Sequence, residues 1–132
     1  MTILVAERSE TDASEPRRQE MCWHDVCRPG DLEPGWGEAA WLDGLQVALY
    51  RFPDGSFYAA EQRCPATGAH VMARGIMGSR AIAGGTVHTV ASPLHKQVFR
   101  LDDGRCLGDD SLSLRVFPVQ VRDGRLRVGV PR

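Results

Sequence analysis

The chain has 132 residues, 42% of them hydrophobic and 25% charged, with a formal net charge of −1. That size and balance suit one globular domain with one core, and no basic excess is present to favour nucleic acid or an anionic membrane surface as the main partner. No apolar run approaches the roughly 18 residues that would span a bilayer. The opening Met1-Thr2-Ile3-Leu4-Val5-Ala6 meets Glu7 and Arg8 at once. It is too short for the apolar part of a signal peptide and has no basic residue ahead of it, so a cytoplasmic location is expected. Residues 7–20 mix charges and hold no apolar residue except Ala13. Residues 1–20 are therefore read as a disordered or loosely attached arm, and the folded domain as 21–132.

From Met21 onward the signal is β. Four Asp-Gly pairs, at 43–44, 54–55, 103–104 and 123–124, mark chain reversals, because Asp-Gly readily supplies the positive φ of tight turns. Between them lie alternating apolar segments: Leu45, Val47 and Leu49; then Leu112, Leu114 and Val116; then Leu126, Val128 and Val130. Past Phe117-Pro118 the apolar set changes parity to Val119 and Val121, which predicts a bulge or bend at the proline. The predicted strands are 22–27, 37–42, 45–52, 56–61, 86–91, 97–101, 105–107, 113–122 and 125–130, with one helical turn at most within 67–74. Short strands with regular turn signals predict an all-β sandwich or small barrel.

The segment 62–96 breaks this rhythm. It holds five glycines and three of the four histidines, His70, His88 and His95. A loop-rich insert on a β scaffold is where function usually sits. Four cysteines are present, Cys22, Cys27, Cys64 and Cys106, with no CxxC pair. They are expected to be reduced thiols, and Cys22, Cys27 and Cys106 to pack in or beside strands as small hydrophobes. His88 falls inside a predicted strand and is expected to pack there. Trp23, Trp36 and Trp41 are expected at the core or its edge, with Trp36, between Gly35 and Gly37, the one best suited to an interface.

Two fragments flank the insert, Cys64-Pro65-Ala66-Thr67-Gly68-Ala69-His70 and Ser92-Pro93-Leu94-His95-Lys96. They resemble the two loops of a Rieske domain, where a CxH and a CxxH motif hold a [2Fe–2S] cluster, two cysteines on one iron and two histidines on the other. Position by position, Cys64 and His95 match, Ala66 stands at the first histidine, and Ser92 stands at the second cysteine. Alanine has no donor atom, and a serine oxygen is a harder, more basic ligand than thiolate.

A narrower resemblance spans residues 21–130. Trp23-His24-Asp25-Val26-Cys27, Gln46-Val47-Ala48-Leu49-Tyr50, Arg74-Gly75-Ile76-Met77-Gly78, the stretch from Val90 to Phe99, and Phe117-Pro118-Val119-Gln120-Val121 occur in an order similar to that of the small subunit of assimilatory NAD(P)H-dependent nitrite reductase, the NirD type. That group is Rieske-like and commonly lacks the cluster ligands. The resemblance implies an all-β Rieske-like fold with a loop-rich insert in place of the cluster-binding subdomain. It also implies no catalytic residue, cofactor or metal on this chain, which would serve as an accessory subunit. The partner would be a large subunit carrying FAD, siroheme and an iron–sulfur cluster and reducing nitrite to ammonia. The residues agree, since no Gly-rich dinucleotide turn, HExxH or nucleophile–base motif is visible. His70, Arg74, His95, Lys96 and Gln97 are the polar residues expected to meet the partner. Two other readings stand beside this one: a [2Fe–2S] Rieske-type electron-transfer ferredoxin of an oxygenase or reductase, and a non-redox protein-binding domain, with or without one metal ion on Cys64 and His95.

Overall fold

The computed structural model describes residues 3–5, 7–8, 21–94 and 96–131. In chain order the strands are β1 (Ile3–Val5), β2 (Glu7–Arg8), β3 (Met21–Cys27), β4 (Trp36–Leu42), β5 (Leu45–Arg51), β6 (Phe57–Glu61), β7 (Ile76–Ile82), β8 (Gly85–Ala91), β9 (Val98–Arg100), β10 (Cys106–Leu107), β11 (Val116–Phe117), β12 (Val119–Arg122) and β13 (Arg125–Pro131). Single 3₁₀ turns fall at Pro29–Asp31 and Met72–Arg74. No helix among the described residues is long and apolar enough to cross a membrane.

The strands form three sheets with the orders β1-β4-β5-β6-β11, β12-β13-β3-β2 and β10-β9-β8-β7. The first is the middle layer. Val47 and Leu49 of β5 join Leu42 and Ala59 against Val26, Leu126 and Val128 of the second sheet. Their neighbours Ala48 and Tyr50 point the other way, and join Ala60 against Val90 and Phe99 of the third. A strand covered on both faces reads as a continuous apolar run, so Val47, Ala48, Leu49 and Tyr50 are all fully buried although only one face is evident from alternation. The alanines at 39, 40, 48, 59 and 60 keep this layer thin enough to be covered twice.

Turn chemistry follows the sequence closely at two hairpins. Asp43 and Gly44 (φ 50° and 87°) join β4 to β5, and Asp123 and Gly124 (φ 54° and 73°) join β12 to β13. Two successive positive φ angles are what a two-residue hairpin turn demands. The bend expected at Phe117-Pro118 is a change of sheet. Phe117 pairs with Ala59 in the middle layer, and Val119 pairs with Val128 in the second. Proline, with no N–H, fits the crossing point.

Four local features differ from the sequence reading. β7 (Ile76–Ile82) falls in a part of the insert for which no strand was expected. Arg127 is buried beside Leu126 and Val128, because the register with β3 shifts between Leu126 and Arg127. Its Nε–H donates to Asp25 at 2.7 Å. Trp41 is exposed (42%) rather than at a core edge, and Trp36 more so (57%). Trp23 is half-buried, its ring lying over Gly129, its cross-strand partner. Residues 3–5 and 7–8, within the stretch read as an arm, add strands to β4 and β3. Residues 9–20 lie outside the described residues.

Candidate functional site

The two candidate loops connect β6 to β7 and β8 to β9, and they are built alike. In the first, the Cys64 N–H donates to the Ala69 carbonyl (2.7 Å) and the Gly68 N–H to the Cys64 carbonyl (2.8 Å). In the second, the Ser92 N–H donates to the Gln97 carbonyl (2.8 Å) and the Lys96 N–H to the Ser92 carbonyl (3.0 Å). Both loops thus close at the same two offsets. Gly68 and Lys96, four residues after Cys64 and Ser92, each take a positive φ (81° and 63°). Both Cys64 and Ser92 are followed by proline, whose missing N–H leaves this pattern intact. A buried glutamine holds the first loop against the fold: the Gln62 side-chain oxygen accepts the Ala73 N–H at 2.7 Å. Nothing in the sequence pattern singles out Gln62.

Cys64 and Ser92 are brought together. Both are fully buried, and Cys64 Sγ lies 3.4 Å from Ser92 Oγ, within hydrogen-bond reach for sulfur. Burial opposes ionisation of Cys64, but hydrogen bonds from Ser92 and Thr67 outweigh it and hold the thiol below its ordinary pKa. Cys22, Cys27 and Cys106 are buried and unpaired by disulfides. The Cys27 thiol is pushed up to about 11 by burial and by Asp31. None of these three has the environment of a reactive cysteine.

This donor set does not fit a Rieske cluster. One iron would receive Cys64 and a neutral hydroxyl. The other would receive at most His95, since Ala66 is an exposed methyl group. No group of three or more His, Cys, Asp or Glu side chains among the described residues is arranged to hold a metal ion. His95 itself lies outside the described residues.

The other candidates fall in two places. Leu94 (52% exposed) and Lys96 stand at the apex of the second loop, with Pro93 partly covered behind them. His70 is exposed and forms an isolated bridge with Arg63 on the first loop. Gln97 is half-buried, and its side-chain oxygen is enclosed without a hydrogen-bond partner. Arg74 is exposed but lines a separate groove of about 980 Å³ between the start of β4 and β7. His88, expected to pack within a strand, does so while facing this groove. It stacks on Phe52 (4.0 Å between centroids). Its Nδ1 lies 2.9 Å from the Tyr58 hydroxyl and its Nε2 3.2 Å from Asp54. Asp54 sits in a predicted Asp-Gly turn and Tyr58 on a predicted strand, so no spacing signal joins them to His88 before the fold does.

Comparison with known proteins agrees with this geometry. Residues 22–129 match the model of the Rieske-like [2Fe-2S] domain family. The nitrite reductase (NADH) small subunit of Salmonella typhimurium is 36% identical over 103 residues, covering 77% of this chain and 92% of that protein. A segment making up 12% of the nitrite reductase [NAD(P)H] large subunit of Klebsiella oxytoca is 36% identical over 87% of this chain. The crystal structure of a Mycobacterium tuberculosis chain assigned as an NADH-dependent nitrite reductase small subunit superposes with a TM-score of 0.78 at 43% identity, over 86% of this chain and 98% of that one. The chain belongs to the Rieske-like [2Fe-2S] domain family, within its group of nitrite reductase small subunits.

Proposed function

We propose that the chain is the accessory small subunit of an NAD(P)H-dependent nitrite reductase, working in the cytoplasm on a large subunit that carries FAD, siroheme and an iron–sulfur cluster. The chain supplies a docking surface and no redox centre of its own. The observation that carries this reading is the pair of matched loops: the frame is complete, yet Ala66 and Ser92 remove two of the four ligands. A second support is the Klebsiella large subunit, in which the matching domain lies within the large-subunit chain itself.

The docking end is the surface formed by the two loops. Leu94 gives it an exposed apolar centre, with Lys96 and His70 exposed on the same two loops and His95 and Gln97 beside Lys96 in sequence. Arg74, the remaining residue expected to meet the partner, lines the separate groove instead. An exposed apolar group rimmed by polar ones suits protein association. The double variant L94D/K96E is expected to weaken binding to the co-expressed large subunit about tenfold or more, the loss of one interface anchor. Its melting temperature should stay within a few degrees of the parent, since both side chains are exposed. Affinity measured with purified large subunit checks this. Unchanged affinity would remove the loop end as the docking site, and no complex with the unaltered chain would remove the subunit assignment.

A further inference from the structure

Among the described residues, β7 is the longest strand with an open edge. It is the last strand of its sheet, hydrogen-bonded only to β8 through seven consecutive pairs, Ile76↔Ala91 to Ile82↔Gly85. Proteins usually blunt such edges with proline, bulges, several charges or short length. β7 has no proline, no register shift and one charge, Arg80. Five of its seven residues are exposed, Ile76 at 64%, and Ile76–Ser79 line the groove.

The strand Ile76-Met77-Gly78-Ser79-Arg80-Ala81-Ile82 complements itself. We infer that β7 pairs antiparallel with β7 of a second copy of this chain, about a two-fold axis passing through Ser79. In that register Ile76 faces Ile82, Met77 faces Ala81, Gly78 faces Arg80 and Ser79 faces Ser79 of the other copy. All seven residues are paired, both ends carry an isoleucine pair, and each Arg80 meets a glycine. Cross-strand apolar pairs stabilise a sheet, and like charges directly opposite destabilise it. Moving the axis to Arg80 would set two guanidinium groups face to face. Moving it to Gly78 would leave Ala81 and Ile82 unpaired.

There is room for the incoming strand. The groove of about 980 Å³ runs beside Ile76–Ser79, with Trp36 and Glu38 on its far wall. The second copy's Ser79–Ile82 would lie along this half of β7 and cover the exposed Ile76 and Trp36. A Cβ built on Gly78 has only Thr89 Oγ1 within 4 Å, at 3.6 Å, so the Arg80 stem of the other copy has space above the glycine. The third sheet then continues across the two-fold axis as eight strands. Such an isologous contact closes on itself, using up β7 in both copies and leaving only the two-residue β10 at each end.

Sedimentation of the full chain tests this inference, with substitutions at the self-facing position. The unaltered chain should be dimeric. S79K and S79E should each shift to monomer, since each sets its new charge against itself, and an equimolar mixture of the two should recover dimer. S79C should form a disulfide-linked dimer under mild oxidation much faster than S113C, an exposed control. Opposed residues on antiparallel strands lie within the Cα separation a disulfide spans, and the four native thiols are buried. A chain monomeric at every concentration, an S79K variant as dimeric as the parent, or S79C no faster than S113C would each overturn the inference. If S79K instead abolishes large-subunit binding by a monomeric chain, the edge receives a foreign strand, and the second copy is ruled out.

Discussion

The double variant A66H/S92C, reconstituted with iron and sulfide without air, is expected to bind one Rieske-type [2Fe–2S] cluster, about two irons per chain, where the unaltered sequence binds none. The argument rests on the shared loop frame. Cys64 and Ser92 start their loops with the same hydrogen bonds and sit 3.4 Å apart from Sγ to Oγ. Two sulfurs held at about 2.3 Å from one tetrahedral metal lie roughly 3.7 Å apart, so a thiolate at position 92 needs only a small outward shift. The introduced imidazole at 66 would come from an exposed apex with nothing to displace, and His95 supplies the fourth ligand from the second loop. Each single variant should fail, because S92C leaves one iron with a lone histidine and A66H leaves the other with a lone thiolate. Visible absorption and electron paramagnetic resonance of the reduced protein read the result. A colourless double variant with a native melting temperature would mean that the loops no longer share the cluster-binding frame, and the docking argument built on that frame would fall with it.

Much of this was legible before the structure because the informative residues act locally. An Asp-Gly pair sets its own backbone, so the β4–β5 and β12–β13 turns could be read directly. Cys64, Ala66 and Ser92 could be assigned to ligand positions because those motifs are short and ordered along the chain. What stayed hidden depends on contacts between distant segments. β7 carries Gly78 and Ser79 and lacks clean alternation, since neither of its faces is well buried; its strand state follows from its pairing with β8 rather than from propensity. The burial of Ala48 and Tyr50 needs a third sheet that the β5 pattern cannot announce. Arg127 looks like an outward residue until one register shift turns it inward to Asp25. The cluster of Asp54, Tyr58 and His88 comes from three turns and strands up to 34 residues apart, brought together only by the packing of β6 on β8.

Gly104→Ala should be among the most damaging single-methyl changes in the chain, costing about 3 kcal/mol or more and lowering Tm by roughly 10 °C. Two effects add. Gly104 has φ +86°, a conformation that costs an L-residue roughly 1–2 kcal/mol. Its Cβ would also fall far inside contact distance of the Leu114 carbonyl oxygen and 3.0 Å from the Leu114 carbonyl carbon, both backbone atoms that cannot swing aside. The close approach is fixed by hydrogen bonds on both sides: the Gly104 N–H donates to Arg100 (2.9 Å), and the Leu114 N–H donates to the Gly104 carbonyl (2.7 Å). Relieving the clash means moving Leu114, a fully buried side chain in the same core as Cys64 and Phe99. Gly44→Ala separates the two effects, because Gly44 has the same φ (+87°) with no atom near its Cβ position. It should lose only the backbone cost, about 1 kcal/mol and a few degrees. Denaturant unfolding of the two variants side by side checks the difference; equal losses would show that the approach of residues 104 and 114 is not tight. The position matters for the loop end as well. β9 runs from the second loop straight into this turn, so a displaced turn loosens the strand that holds Ser92–Gln97 in register with Cys64, and the matched loops should lose their frame before the outer sheets unfold.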